Sequence, residues 1–229
     1  MNFAHVVAVT NRKLVPAPTD KQIQELTAYL TYPPSSDNIP LLARIMLLAD
    51  TDAECIILRE KDMNEAEYLS LSQAAIEICK KKHKKLVLHT YMDTARELAH
   101  PHIHLPYPAL IRYRDTPNSY KPVTLGVSIH SPEEAVHAEQ LGATYLTAGH
   151  IFATECKKGV PPRGLDWLKG ITASVSIPVY AIGGITEDNL AAVMRCGAAG
   201  GCMMSAAMRY VPEQGVRPGE KIWLGSSIL

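Results

Sequence analysis

Eight short apolar segments of strand length, alternating with stretches of helical periodicity, predict a parallel α/β fold in this 229-residue chain. A hydrophobic share of 47% with 20% charged residues suits one large core. Glycines at the ends of the last two strands are what the mouth of a closed barrel requires where an anion is bound. The expected architecture is a single α/β domain over 1–229, a (β/α)8 TIM barrel from about 3 to 208. An irregular C-terminal tail, 209–229, stands in place of a long eighth helix, because Pro212, Gly215, Pro218 and Gly219 interrupt it. An open doubly wound sheet is the alternative, with ligands at a strand-order switch.

Strand one is the run His5 to Thr10. Thr19 or Asp20 caps the first helix, Pro33 to Asp37 interrupts it, and Leu41 to Ala49 resumes the helical pattern. Strand two, Cys55 to Leu58, closes on Arg59-Glu60-Lys61. Asn64 with Glu67 resembles a capping box, and Tyr68, Leu71, Ala75, Ile78 and Cys79 form the buried face of a long helix. Strand three is Leu86 to His89, and a short helix from Met92 to Ala99 leads to strand four, His102 to Leu105. Pro106 to Arg114 reads as a brief helix, Val123 to Ile129 as strand five, and Pro132 to Leu141 as a helix with Ser131 at its N-cap. Tyr145 to Ile151 is strand six, and Leu165 to Val175 is the helix after a long loop. Pro178 starts the seventh strand, Val179 to Ile182, since a residue without an amide proton belongs at a strand's mouth. Gly183-Gly184 then turns into a helix whose cap is Thr186. The eighth strand is Gly201 to Met204, running into Ser205.

The formal net charge is zero and no basic stripe stands out, which argues against nucleic acid and acidic membranes as partners. Lys80 to Lys85 ends a helix pattern and complements the helix dipole in solvent. With no apolar span of about eighteen residues and no cationic leader, a cytoplasmic location is expected. Cys55, Cys79, Cys156, Cys196 and Cys202 are scattered without metal-ligand spacing, as in reduced cytosolic thiols.

In a barrel, residues just past each strand converge on one mouth. Those are Asn11 and Arg12, Arg59 and Lys61, His89 and Tyr91, His104, Ser128 and His130, His150 with Lys157 and Lys158, Gly183 and Gly184, and Ser205. The backbone after strands seven and eight forms an anion cradle from Gly183, Gly184, Met204 and Ser205, although such glycines alone also serve plain tight turns. His130 follows strand five directly, and an imidazole with an ordinary pKa of about 6.5 both takes and gives a proton near neutrality. The loop from Phe152 to Gly164 is long enough to serve as a lid, and its paired lysines suit an anionic substrate or simply solvent. Arg59 suits a carboxylate or pairs with Glu60. His89, His102 and His104 fit no zinc pattern and are read as wall residues, so no metal and no cofactor is expected.

The chain resembles the thiamin phosphate synthase superfamily, and within it the TenI-type thiazole tautomerases. The resemblance is carried by Gly126-Val-Ser-Ile-His-Ser131 with Glu133-Glu-Ala135, by Gly149-His-Ile-Phe152, Thr154 and Cys156-Lys-Lys-Gly159, and by Arg163-Gly164, Ile177-Pro178, Ala181-Ile-Gly-Gly-Ile-Thr186 and Met204-Ser205. The superfamily's synthases bind magnesium pyrophosphate through Asn-Asp at the end of strand three and an Asp after strand four. Here those places read His89-Thr90-Tyr91 and Leu105-Pro106-Tyr107. The resemblance implies an isomerase: aromatisation of a thiazole carboxylate phosphate in thiamin biosynthesis, with His130 as proton carrier. In that reading Gly184 and Ser205 hold the phosphate, with Arg59 and Lys157 at the carboxylate end. It implies a small-molecule thiazole phosphate as partner, and a homo-oligomer, a dimer foremost. Two other activities stay open: thiamin phosphate synthase itself, a transferase, and a non-catalytic phosphate-ligand binder or regulator.

Overall fold

The computed structural model describes residues 2–115 and 120–212, so all but the first four residues of the expected 209–229 tail lie outside them. Eight parallel strands close on themselves in sequence order: β1 (Val6–Val9), β2 (Cys55–Leu58), β3 (Leu86–His89), β4 (His102–Pro106), β5 (Thr124–Ile129), β6 (Tyr145–Gly149), β7 (Val179–Ile182) and β8 (Gly200–Met203). β1 pairs with β8 through Val7 and Cys202, which closes the ring. The open doubly wound alternative is thereby excluded, since every strand has two neighbours.

The helices wrap the outside: α1 (Asp20–Tyr29), α2 (Ile39–Ala49), α3 (Glu65–Lys81), α4 (Met92–Glu97), α5 (Tyr107–Asp115), α6 (Pro132–Gln140), α7 (Gly164–Ser174), α8 (Glu187–Arg195) and α9 (Ser205–Arg209). Their starts follow from local chemistry. Thr19 caps α1 and Asn64 caps α3, each in a reciprocal box with the residue three on, Gln22 and Glu67. Ser131 accepts from the Glu134 amide at the start of α6, with proline in its first turn. α9, directly after β8, has five residues, and the chain just after it is pinned by Tyr210. That ring meets Phe3 edge to face at 5.0 Å, and its carbonyl accepts from Arg44.

β4, β5 and β8 shift by one residue from the sequence reading, and β1 and β6 are shorter than read. β1 begins at Val6 because His5 takes a positive φ of 60°, which breaks the extended run. β6 stops at Gly149 because the carbonyls of His150 and Ile151 accept from Arg163 and Gly164, where the long loop returns. Among the described residues no helix is long and apolar enough to cross a membrane.

Candidate active site

Strand alternation decides what reaches the barrel interior. Ile56, Leu58, Leu88, Ile103, Leu105, Val127, Ile129, Leu146, Val179 and Ala181 join the core beneath the helices. Val7, Val9, Cys55, Ile57, Val87 and Cys202 form a second cluster inside the barrel, with Tyr180, Ile182 and Met204 against it. Arg59, His89, His104, Ser128 and His130 continue the inward series of their strands.

Below the mouth the wall is polar. His104, 1% exposed, bonds through Nδ1 to the Tyr145 hydroxyl at 2.9 Å and through Nε2 to Ser128 Oγ at 2.7 Å. Thr147 donates to Ser128 Oγ at 3.1 Å. His89 stacks on His104, ring centroids 5.3 Å apart, and its Nδ1 meets the Thr90 hydroxyl at 2.6 Å. Thr90 itself sits at φ 72°, with its amide donating to the His104 carbonyl at 3.0 Å. Burial holds both imidazoles neutral, helped for His89 by His104 and for both by the charges of Arg59 and Lys61; His104 is pushed down to about 3.

Those two cations define the β2 side of the mouth. Burial lowers the Lys61 ammonium below its usual pKa, and repulsion from Arg59 and Lys157 adds to it, so the three positive groups share one neighbourhood. The neighbouring carboxylates are committed elsewhere. Glu60, 3% exposed, accepts from the Thr10 hydroxyl at 2.7 Å and from the Arg12 amide at 3.0 Å, and burial raises its pKa. Asp62 pairs with Arg12 at 3.1 Å and Lys13 at 2.8 Å. Of the two readings left open for Arg59, pairing with Glu60 is not the one formed: the two residues alternate, and Glu60 turns outward.

Three strands round the ring from β2, past β1 and β8, lies the glycine turn that follows β7. Gly183 and Gly184 take φ of 94° and 68°, the left-handed region that only glycine enters freely. A Cβ on Gly183 would stand 2.2 Å from His150 Cβ, and one on Gly184 would stand 2.6 Å from the Ala153 carbonyl. The turn is thus packed against the start of the loop after β6. Met204 Sδ accepts from Asn11 Nδ2 at 3.8 Å, and Ser205 opens α9 beside it.

His130 is exposed at the end of β5, its amide bonded to Glu134 at 2.6 Å and its Nδ1 3.3 Å from the Gly149 carbonyl, so the ring leans toward the end of β6. His150 is buried and spends Nε2 on the Val160 carbonyl at 3.2 Å, tying the two ends of the loop together. Lys157 stands in the exposed turn Glu155–Lys157 of that loop. Among the sequence-expected residues, Arg59, His130, Lys157, Gly183, Gly184, Met204 and Ser205 lie on the ends or loops of one face, whereas His150 buttresses a loop. Lys61 and the His104–Ser128–Thr147–Tyr145 network carry more of the site than the sequence reading assigned them. Their signal was present as polar residues at the inward positions of β4, β5 and β6.

The magnesium pyrophosphate site of the resembled synthases can be tried against these residues. The ends of β3 and β4 offer His89, Thr90, Leu105 and Pro106, with no carboxylate. Both nitrogens of His104 are engaged, and among the described residues no group of three or more His, Cys, Asp or Glu side chains is arranged to hold a metal ion. The residues do not fit a carboxylate-held divalent cation.

A family model described as thiamine monophosphate synthase matches residues 28–207. The thiamine-phosphate synthase of Coprothermobacter proteolyticus is 30% identical over 172 residues, covering 75% of this chain and 82% of its own. That of Methanospirillum hungatei is 32% identical over 157 residues, covering 68% and 76%. A solved structure of a thiamine phosphate pyrophosphorylase from Pyrococcus furiosus superposes with a TM-score of 0.66 at 24% identity, covering 95% of this chain and 91% of that one, a likeness of fold. The superfamily expected from the sequence is the one found. The isomerase expected within it is corrected: the relatives are named as synthases, which are transferases, not as tautomerases. The physical reason is that a proton shift and a group transfer on one thiazole phosphate need the same tether and the same kind of mouth, so strand-end motifs do not separate them.

Proposed function

Because the chain belongs to the thiamine monophosphate synthase family, we propose that it is a thiamin phosphate synthase, a transferase joining a pyrimidine pyrophosphate to a thiazole phosphate. One observation carries the choice. The mouth has two anion-attracting sectors, the glycine turn after β7 and the cations Arg59, Lys61 and Lys157. Joining two phosphorylated partners needs two such sectors, and three cations match the charge of a pyrophosphate ester, where a single ring carboxylate would need one.

In this reading the thiazole phosphate rests on backbone amides of Gly184 and Ser205, with Gly183 and Met204 shaping the turn. The thiazole nitrogen forms a bond to the pyrimidine carbon that carries the pyrophosphate. The carbon–oxygen bond breaks, and pyrophosphate leaves with the electron pair. Arg59, Lys61 and Lys157 stabilise the charge that develops on the departing group. Ser128 and His130 line the space between the sectors and orient the two rings. His150 keeps the loop over the site in place by its bond to Val160.

The test is to incubate the purified chain with both substrates and magnesium and to separate the products. Thiamin phosphate and pyrophosphate are expected to form in equal amounts. Binding of thiazole phosphate without either product would overturn the transferase and leave a phosphate-ligand binder.

A further inference from the structure

We propose that the pyrophosphate-bearing substrate is held in this mouth by the side-chain cations Arg59, Lys61 and Lys157 alone, with no divalent cation bridging it to protein. The inference deepens the transferase reading and rests on it for the identity of the anion.

Charge and geometry both lead there. Arg59 continues the inward series Cys55, Ile57 of β2, and register carries it level with His89, since Leu58 pairs with Leu88. Lys61 lies two residues further toward solvent, and Lys157, in the turn Glu155–Lys157 of the loop after β6, is near enough for its charge to bear on Lys61. None of the three has an ion-pair partner among the described residues, whereas Arg12 and Lys13 beside them share Asp62, and Arg96 of α4 has Asp93 at 2.6 Å. Three uncompensated cations balance the three or so negative charges of a pyrophosphate ester; they also repel a divalent ion that lacks carboxylates to receive it.

The oxygen and nitrogen ligands that such an ion needs are spent. Glu60 is turned onto Thr10 and the Arg12 amide, Asp62 and Asp93 are paired, and Glu134 accepts from the His130 amide. Glu155 stands in the exposed loop turn, and among the described residues no metal-holding group forms around it. At the end of β3 stands His89, 5% exposed, stacked on His104 and bonded to Thr90. Burial and the nearby cations keep its ring neutral, so that it offers the anion an uncharged wall.

Calorimetric titration of the full chain with sodium pyrophosphate, first in EDTA and then in excess magnesium, tests this directly. The expected result is saturable binding in EDTA, with a Kd that magnesium changes by less than about threefold, and no binding of magnesium alone. Arg59→Met with Lys61→Met is expected to weaken pyrophosphate at least tenfold while thiazole phosphate affinity stays within threefold. Absence of binding in EDTA, or a gain of more than tenfold on adding magnesium, would overturn the inference. The two readings fail separately. Product that forms only with magnesium sinks this inference and keeps the transferase; chelator-insensitive binding with no product in the coupling assay does the reverse.

Discussion

At the scale of single residues, the site rests on backbone conformations that side chains do not tolerate. Gly184 at φ 68° lies 2.7 Å, at a notional Cβ, from the Cβ of Phe152. Gly184→Ala therefore forces either the turn or the loop behind it to move, at a cost of about 1–3 kcal/mol. The expected outcome is a lower unfolding temperature together with at least a tenfold loss of thiazole phosphate affinity by titration calorimetry. A variant that binds as tightly as the parent would remove the turn from the phosphate site. His104 makes a different kind of prediction. Replacing it by Leu strands the Tyr145 hydroxyl and loosens Ser128 inside the barrel, for about 1–3 kcal/mol of stability in a denaturant titration. His104→Asn, which keeps polar atoms there, is expected to lose less.

At the scale of elements, the strands were legible because each is a short apolar run bounded by turn or cap residues, and β2, β3 and β7 fall on their sequence-read limits. What the runs conceal is which face of β4, β5 and β6 is inward. His104, Ser128 and Thr147 look like interruptions in an apolar pattern, and only pairing across strands turns them into a network. The same holds for Gly126, which no turn requires. It faces the interior where Tyr145 crosses, and a Cβ there would stand 2.2 Å from the tyrosine ring and 2.4 Å from His104 Nδ1. Gly126→Ala is expected to destabilise the barrel by about 1–3 kcal/mol through overpacking, read as a shifted urea midpoint at unchanged slope. Unchanged stability would mean that β5 and β6 are packed more loosely than described.

At the scale of the whole molecule, four buried or half-buried histidines set an acid limit. Burial lowers His100 and His89, holds His102 at about 4 and holds His104 at about 3. Unfolded imidazoles take up protons near pH 6.5, so the unfolded chain binds more protons below that pH. Stability is full above about pH 6.5 and falls as the pH drops toward 4 and 3, by about 1.4 kcal/mol per pH unit for each fully buried ring. Urea midpoints measured from pH 8 to pH 4 are expected to decline from about pH 6.5 downward; a flat profile would contradict the buried neutral pair His89–His104.

The barrel was legible in the chain, and so was the anion-binding face. The reaction was not, because one tether and one imidazole serve a proton shift as well as a transfer; two-sector charge becomes visible once Arg59, Lys61 and Lys157 are brought together in space. A crystal of the chain grown with thiazole phosphate and pyrophosphate together tests that arrangement most directly. The account predicts the thiazole's phosphate within hydrogen-bond reach of the Gly184 and Ser205 amides and the pyrophosphate against Arg59 and Lys61, with the ring between them near Ser128 and His130. Both anions crowded on the glycine turn, or the pyrophosphate seated away from Arg59, would contradict it.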